Sequence, residues 1–149
     1  MNERLSEPID ILLVEDNPGD VRLTEEAFKQ LPTETTIHVA TDGDEALDQL
    51  SSKRDERASS LPDLILLDLN LPRMGGLEFL DAIQDDTTLR RIPVLVLTSS
   101  NAVEDVLESY TLAANAYLTK PTDPIEYTEM VESVAEFWFE RAALPPMTP

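Results

Sequence analysis

The chain has 149 residues and a formal net charge of −19 at pH 7, with 30 acidic against 11 basic side chains. It contains no cysteine and one histidine, which excludes disulfides, thiolate metal sites and histidine metal clusters. A negative field of this size repels nucleic acid, and no apolar run is long enough to span a membrane or to form a signal segment. We therefore expect one domain of a cytoplasmic protein. The acid surplus also suggests a high-salt, halophilic cytoplasm, a hypothesis that full folding in dilute buffer would contradict.

The first two predicted strands are each followed by a helix. The apolar run Ile9 to Val14 is typical of a buried strand, and Glu15-Asp16 follows it at once. Asn17-Pro18 combines a good N-cap with a residue that suits the first helical position, so a helix is predicted to begin there. A short alternating strand over 37–40 and a short helix come next, and we expect 51–60 to form a polar surface loop.

The third predicted strand ends in a carboxylate. Large apolar residues run without interruption up to Asp68, and turn residues flank the run on both sides. A run of this kind is typical of a strand that is buried on both faces. Asp68 is therefore predicted to lie at the carboxyl end of the strand, the edge where open α/β sheets bind ligands. For this stretch alone, an Asp that merely caps the next turn is an equal alternative.

Periodicity predicts the same alternation over the rest of the chain. The fourth strand is followed by Thr98, and the fifth by Lys120. Strands that alternate with helices in one domain indicate a parallel α/β sheet with helices on both faces. The elements predicted here are helices over 76–84 and 103–110 and strands over 93–97 and 116–119.

A C-terminal helix is predicted to begin at Asp123, an N-cap that is followed by Pro124. An apolar stripe along this helix is expected to pack in the core. Ile125 and Phe139 fall off the stripe and are candidates for a docking or dimer surface, so we expect a monomer or a weak homodimer. The stripe consists of Tyr127, Met130, Val131, Val134 and Trp138.

Polar groups follow four of the predicted strands. The carboxyl ends of parallel strands share one edge, so these groups converge on one pocket if strands one, three, four and five are neighbours. Three carboxylates there would repel one another unless a cation neutralised them. Oxygen ligands without His or Cys favour a hard ion, and Mg²⁺ fits best. The converging residues are Glu15, Asp16, Asp68, Thr98 and Lys120.

At these positions the sequence resembles the response-regulator receiver domain of two-component signalling. The resemblance runs from about Ile9 to Glu140. It implies a flavodoxin-like (βα)5 doubly wound sheet with strand order 2-1-3-4-5. We accordingly expect an N-terminal extension over 1–8, the receiver domain over 9–141 and a flexible tail over 142–149. The residues that carry the resemblance are Glu15-Asp16, Asp68, Thr98, Tyr117 and Lys120-Pro121.

The resemblance also implies a role for each site residue. Asp68 is the expected phosphoacceptor, while Glu15, Asp16, Asp68 and the backbone carbonyl of Asn70 are the expected Mg²⁺ ligands. Lys120 and Thr98 are expected to contact the phosphoryl oxygens. Thr98 then moves toward that group and Tyr117 swings inward, which resets the face formed by the fourth helix, the fifth strand and the C-terminal helix. Asn70 and Ser100 are expected to tune the lifetime of the acyl phosphate, and a cis peptide is expected at Lys120-Pro121.

The function implied is that of a stand-alone response regulator and not of an enzyme. Its partners would be a sensor histidine kinase and either a downstream effector protein or a phosphotransfer protein. The chain is similar to the single-domain regulators that work with bacteriophytochrome-type kinases and to their archaeal relatives. This similarity rests on the segments 14–20 and 68–72, on Phe137-Trp138-Phe139 and on Leu144-Pro145.

Three other functions are alternatives for the same residues. A Mg²⁺-dependent phosphatase of haloacid-dehalogenase type also uses a strand-end Asp, but it wants a second Asp where this chain has Asn70. A flavodoxin needs a Ser/Thr-rich phosphate loop after the first strand, where Glu15-Asp16 would repel the flavin phosphate. A receiver that docks to its partner without phosphorylation is disfavoured by the complete set of site residues.

Overall fold

The computed structural model describes residues 8–57, 60–99, 106–107, 114 and 116–141, and for 139–141 it describes the backbone alone. The strands are β1 (Ile9–Val14), β2 (Thr35–Ala40), β3 (Leu64–Leu67), β4 (Val94–Thr98) and β5 (Ala116–Thr119). The helices are α1 (Pro18–Lys29), α2 (Gly43–Glu56), α3 (Gly76–Gln84) and the C-terminal helix (Pro124–Ala135), with a 3-10 turn at Leu89–Arg91 and a π-helical turn at Glu136–Arg141.

The five strands form one parallel sheet in the order β2-β1-β3-β4-β5, which confirms the predicted topology. The register brings the strand ends level with one another. Val14 pairs with both Ala40 and Leu67, so Glu15 and Asp68 leave neighbouring strands side by side. Thr98 pairs with Thr119, and Lys120 follows directly. The carboxyl ends of these strands therefore share one edge of the sheet, where the pocket was predicted.

Each face of the sheet is covered by its own apolar layer. Residues of α2 and α3, such as Leu50 and Phe79, pack on one face. Residues of α1 and the C-terminal helix, such as Phe28 and Tyr127, pack on the other. The two central strands β3 and β4 are buried along their whole length, as the unbroken apolar runs predicted.

Side-chain caps fix where three helices begin. Asn17 Oδ1 accepts a hydrogen bond from the Asp20 N–H at 3.1 Å, and Pro18 is the first helical residue of α1. Asp42 Oδ1 accepts from the Glu45 N–H at 2.8 Å, and Asp123 Oδ1 accepts from the Glu126 N–H at 2.9 Å. Two of these starts, at Asn17 and Asp123, confirm predictions made from the N-cap and proline pattern.

Some expectations were wrong. The loop predicted over 51–60 begins instead as two further turns of α2, which ends at Glu56. The guanidinium of Arg54 in this stretch pairs with Asp86, a contact across the fold that stabilises the extra helix. Strand β2 begins at Thr35, two residues before the predicted start. The peptide bonds of the described residues are all trans, so the cis bond expected at Lys120-Pro121 is absent.

Other expectations lie outside the described residues. These are the N-terminal extension up to residue 7, the tail over 142–149, Ser100 and most of the predicted fourth helix, of which Val106 and Leu107 are described and are helical. The side chain of Phe139 also lies outside them, whereas Ile125 is 72% exposed. In the described part of the chain, no helix is long and apolar enough to cross a membrane.

Candidate functional site

Asp68 lies at the carboxyl end of β3 and is held there by neighbouring backbone. Its N–H donates to the Val14 carbonyl at 3.0 Å, and its Oδ1 accepts from the Asn70 N–H at 3.1 Å. The side chain is only 7% exposed. A Cβ on Gly76 would lie 2.6 Å from the Asp68 carbonyl oxygen, so only glycine allows α3 to begin against the strand end. The carboxylate is thus fixed by rigid elements.

The ammonium of Lys120 lies at the centre of the site. It follows β5 and contacts Glu15 Oε1, Asp20 Oδ2 at 2.7 Å and Asp68 Oδ2 at 3.0 Å. The Lys120 side chain is 11% exposed, so these are contacts with little competing water. Residues that are far apart in the chain therefore meet in one cleft, as the predicted convergence requires.

A second group of carboxylates overlaps the first. Oxygen atoms of Glu15, Asp16 and Asp68 lie within 4.8 Å of one another. Glu15 and Asp68 are buried, whereas Asp16 is exposed and leaves the group open to solvent. A donor set made of carboxylate oxygens fits a hard divalent cation such as Mg²⁺, which binds a couple of carboxylates and keeps several waters.

The shared environment shifts the three ionisable groups differently. Burial, together with the neighbouring Asp68 carboxylate, raises the pKa of Glu15 to about 7. Burial also opposes ionisation of Asp68, but hydrogen bonds with Glu15, the Asn70 N–H and Lys120 outweigh it and hold the pKa below its usual value. Burial opposes the charged form of Lys120 too, but its three carboxylate partners raise the pKa of the ammonium. At neutral pH the Lys120 ammonium therefore stays protonated.

The remaining predicted residues line the same cleft or the strand beside it. Asn70 Nδ2 donates to Thr98 Oγ1 at 3.4 Å, and Thr98 is fully buried at the end of β4. Tyr117 is half-buried on β5, where it packs against the apolar layer formed with α2 and α3. The structure thus brings together Glu15, Asp16, Asp68, Asn70, Thr98 and Lys120, and places Tyr117 on the adjacent strand.

Sequence reasoning missed two residues near the cleft. Asp20 entered the sequence analysis only as part of the segment 14–20, yet its carboxylate pairs with Lys120. Tyr127 was read as core, and its side chain is buried, but its hydroxyl has no hydrogen-bond partner among the described residues. Burial and the nearby Asp20 carboxylate raise the pKa of this hydroxyl to about 12. No local pattern signals the pairing of Asp20, because an acidic residue in the first turn of a helix is common in any case.

A second ion pair holds the turn between β3 and α3. Arg73 Nε donates to Asp42 Oδ2 at 2.9 Å, and a second guanidinium nitrogen contacts the same oxygen. The Gly43 N–H donates to the Met74 carbonyl at 3.1 Å, and a Cβ on Gly43 would lie 2.7 Å from the Met74 side chain. Arg73 adopts a left-handed backbone with φ of 58°. These contacts, the Arg73–Asp42 clamp, tie the turn that follows Asp68 to the start of α2.

The sequence profile of the response regulator receiver domain matches residues 11–132. The chain belongs to the response-regulator receiver family. This receiver and response regulator Rcp1 of Synechocystis sp. are 40% identical over 145 residues. The alignment covers 97% of this chain and 99% of Rcp1.

Solved structures agree with the family assignment. The crystal structure of the phosphorylated cyanobacterial phytochrome response regulator RcpA has a TM-score of 0.86 and 41% identity, covering 94% of this receiver and 100% of that chain. The Mn²⁺-bound form of Rcp1 has a TM-score of 0.83 and 41% identity, covering 93% and 100%. The predicted family and flavodoxin-like fold are confirmed, and phosphorylation on an aspartate and Mg²⁺ binding are general properties of receivers. Membership favours signalling over the phosphatase and flavodoxin alternatives.

Proposed function

We propose that this receiver is a stand-alone response regulator that accepts a phosphoryl group on Asp68 from a histidine kinase. The observation that carries the proposal is the meeting of Lys120 Nζ with Asp68 Oδ2 at 3.0 Å, beside the Glu15–Asp16–Asp68 group. A carboxylate held next to a fixed cation is prepared to receive a group whose oxygens are negative.

The proposed transfer is a single displacement at phosphorus. An Asp68 oxygen forms the new P–O bond while the P–N bond to the kinase histidine breaks, and the electron pair returns to the imidazole nitrogen, which takes up a proton. Lys120 offsets negative charge on the phosphoryl oxygens, and the Thr98 hydroxyl donates to one of them. Glu15, Asp16, Asp68 and the Asn70 carbonyl would hold Mg²⁺, which would supply further positive charge at those oxygens.

The output is proposed to follow from movement of Thr98 toward the phosphoryl group. Tyr117 then turns inward and changes the face formed by the predicted fourth helix, β5 and the C-terminal helix, where an effector or phosphotransfer protein binds. Two hydrogen bonds to a charged group contribute roughly 3–6 kcal/mol together, and moving an equilibrium from 1:99 to 99:1 needs about 5.5 kcal/mol. The hydrogen bonds of Thr98 and Lys120 therefore come close in magnitude to the free energy that such a switch needs.

Acetyl phosphate with Mg²⁺ tests the acceptor directly. We expect the wild-type chain to gain the mass of one phosphoryl group and Asp68→Asn to gain none. Asp81→Asn is the matched control, because Asp81 is an exposed carboxylate on α3 outside the cleft, and it should be modified like wild type. A mass gain that persists in Asp68→Asn would contradict the assignment of the acceptor.

The proposed kinase partner is of the phytochrome type, because RcpA is a phytochrome response regulator and shares 41% identity with this chain. Phosphotransfer from such a kinase should be faster than from an unrelated histidine kinase, and equal rates would count against the pairing. Three further predictions remain: a cytoplasmic setting, a halophilic origin, and a monomer or weak homodimer. Size-exclusion chromatography of wild type and Phe139→Glu tests the last of them.

A further inference from the structure

The ammonium of Lys120 has more carboxylate partners than the predicted site required. A lysine ammonium has three N–H donors, and here each faces a different carboxylate. Glu15 and Asp68 belong to the group of carboxylates that fits a cation, but Asp20 does not. Asp20 lies 2.7 Å from the ammonium and comes from α1. Its pairing is therefore a contact that the proposed metal site leaves unexplained.

The backbone of Asp20 is anchored on both sides. Its N–H donates to Asn17 Oδ1 at 3.1 Å, which is the cap of α1. Its carbonyl accepts from the buried Thr24 hydroxyl at 2.9 Å. The carboxylate is therefore presented to Lys120 from a fixed helical turn, and it does not depend on a mobile loop.

We propose that Asp20 is a positioning residue that orients the Lys120 ammonium toward Asp68. Asp20 and Glu15 retain two of the three N–H donors, so the third points at the carboxylate on which, under the proposed function, the phosphoryl group forms. If a metal ion binds Glu15, the carboxylate of Asp20 on α1 still pairs with the Lys120 ammonium. Geometry of this kind raises the rate of a transfer step because it removes rotational freedom before the reaction.

The first test observes the ammonium without phosphate or metal. In ¹⁵N-edited NMR spectra of the lysine side chains, the Lys120 ammonium should give a slowly exchanging signal in wild type. Asp20→Asn, which keeps the size of the side chain and removes its charge, should lose that signal. Glu26→Gln is the matched control, because it removes one charge from an exposed position of the same helix, where the contacting cation is Lys29. It should keep the signal.

The second test measures phosphorylation by acetyl phosphate with saturating Mg²⁺. Asp20→Asn and Asp20→Ser should lower the maximal rate by roughly 5–20-fold, while the half-saturating acetyl phosphate concentration changes by less than about 2-fold, since orientation and not binding is lost. Asp20→Glu, which restores the charge, should recover at least half of the wild-type rate. Glu26→Gln should react like wild type.

The outcomes separate the two proposals. A wild-type chain that is never phosphorylated overturns the proposed function, while the NMR comparison still decides whether Asp20 orients Lys120. If wild type is phosphorylated and both neutral variants react at the wild-type rate, the positioning role of Asp20 is overturned, whatever the NMR signal shows. Because the two neutral substitutions differ in shape, a folding defect in one of them does not decide the test. Thermal unfolding followed by circular dichroism shows whether either variant is misfolded.

Discussion

Two ion pairs lie at the same edge of the sheet, and they are built in opposite ways. The Lys120 side chain is 11% exposed, and its ammonium has three carboxylate partners. The Arg73 side chain is 71% exposed and pairs with one buried carboxylate, that of Asp42, which is 2% exposed. In the first pair negative charge exceeds positive charge, and in the second the charges balance.

The difference separates a site that needs a further cation from one that does not. The Asp42 carboxylate both caps α2 and pairs with Arg73. Hydrogen bonds from the Glu45 N–H and from Arg73 hold its pKa below the usual value. Around Lys120, in contrast, Glu15 remains hard to ionise at neutral pH because burial and Asp68 oppose it. The balanced Arg73–Asp42 pair holds a turn in place, whereas the surplus of carboxylates around Lys120 forms a group that fits a further cation.

The largest expected effect comes from replacing the basic side chain of each ion pair, Lys120 or Arg73, in turn. Lys120→Met should lower the free energy of unfolding by about 3–5 kcal/mol in Mg²⁺-free buffer at pH 8, because buried carboxylates are left without their partner. Arg73→Met should cost clearly less, because water reaches the exposed end of that pair. Urea unfolding of both variants measures the contrast. Equal losses would show that the two pairs do not differ as described.

A smaller effect concerns pH and Mg²⁺. The pKa of Glu15 rises from 4.5 to about 7 on folding, so the folded state binds the extra proton and the contribution of Glu15 to stability falls as pH rises between those values. Mg²⁺ must displace that proton below pH 7. At pH 8, Mg²⁺ at about 100 times its dissociation constant should stabilise the fold by roughly 2.7 kcal/mol, and the same concentration at pH 5.5 by less.

Thermal unfolding with and without Mg²⁺ at the two pH values measures this effect. The control is Arg73→Met, which leaves Glu15 and its neighbours in place and should show the same Mg²⁺ response as wild type. A stabilisation by Mg²⁺ that does not change with pH would mean that Glu15 is already ionised at pH 5.5.

The smallest expected effect compares two ways of removing the clamp. Arg73→Gly and Arg73→Ala both abolish the pair with Asp42, but Arg73 has a left-handed backbone with φ of 58°. A residue with a Cβ is strained there, so Arg73→Gly should unfold about 2–4 °C above Arg73→Ala. This order is the reverse of the usual preference for alanine. Calorimetry of the two variants measures it, and the usual order would contradict a left-handed backbone at this position.

Most of the fold could be predicted because its signals are local. Apolar runs, interrupted in β1 by Asp10 alone, located β1, β3 and β4, and Asn17 and Asp123 marked helix starts with their own hydrogen bonds. The rear of α2 could not be predicted, since its apolar periodicity ends at Leu50. The remaining turns of that helix are charged, and the contact of Arg54 with Asp86 joins residues 32 positions apart.

The candidate site shows the same limit. The strand-end residues were predictable because the topology of a parallel sheet brings strand ends together, and Glu15, Asp68 and Lys120 meet as expected. Asp20 could not be predicted, because a helical acid in a first turn is common for reasons of the helix dipole alone. Its pairing with a residue 100 positions away depends on how α1 packs against the C-terminal helix, which follows Lys120 in the chain, and no local pattern records that packing.

The close approach of Gly76 to the backbone of Asp68 ties one flank of the candidate site to helix α3. Helix α3 begins against the Asp68 carbonyl, and the Arg73–Asp42 clamp joins the same turn to α2. If Asp68 is phosphorylated as proposed, we expect these contacts to hold that flank in place. Under the proposed function, we expect the rearrangement to occur on the opposite flank, through Thr98 and Lys120 toward β4 and β5, so that the resting structure already sets the direction in which a signal would travel.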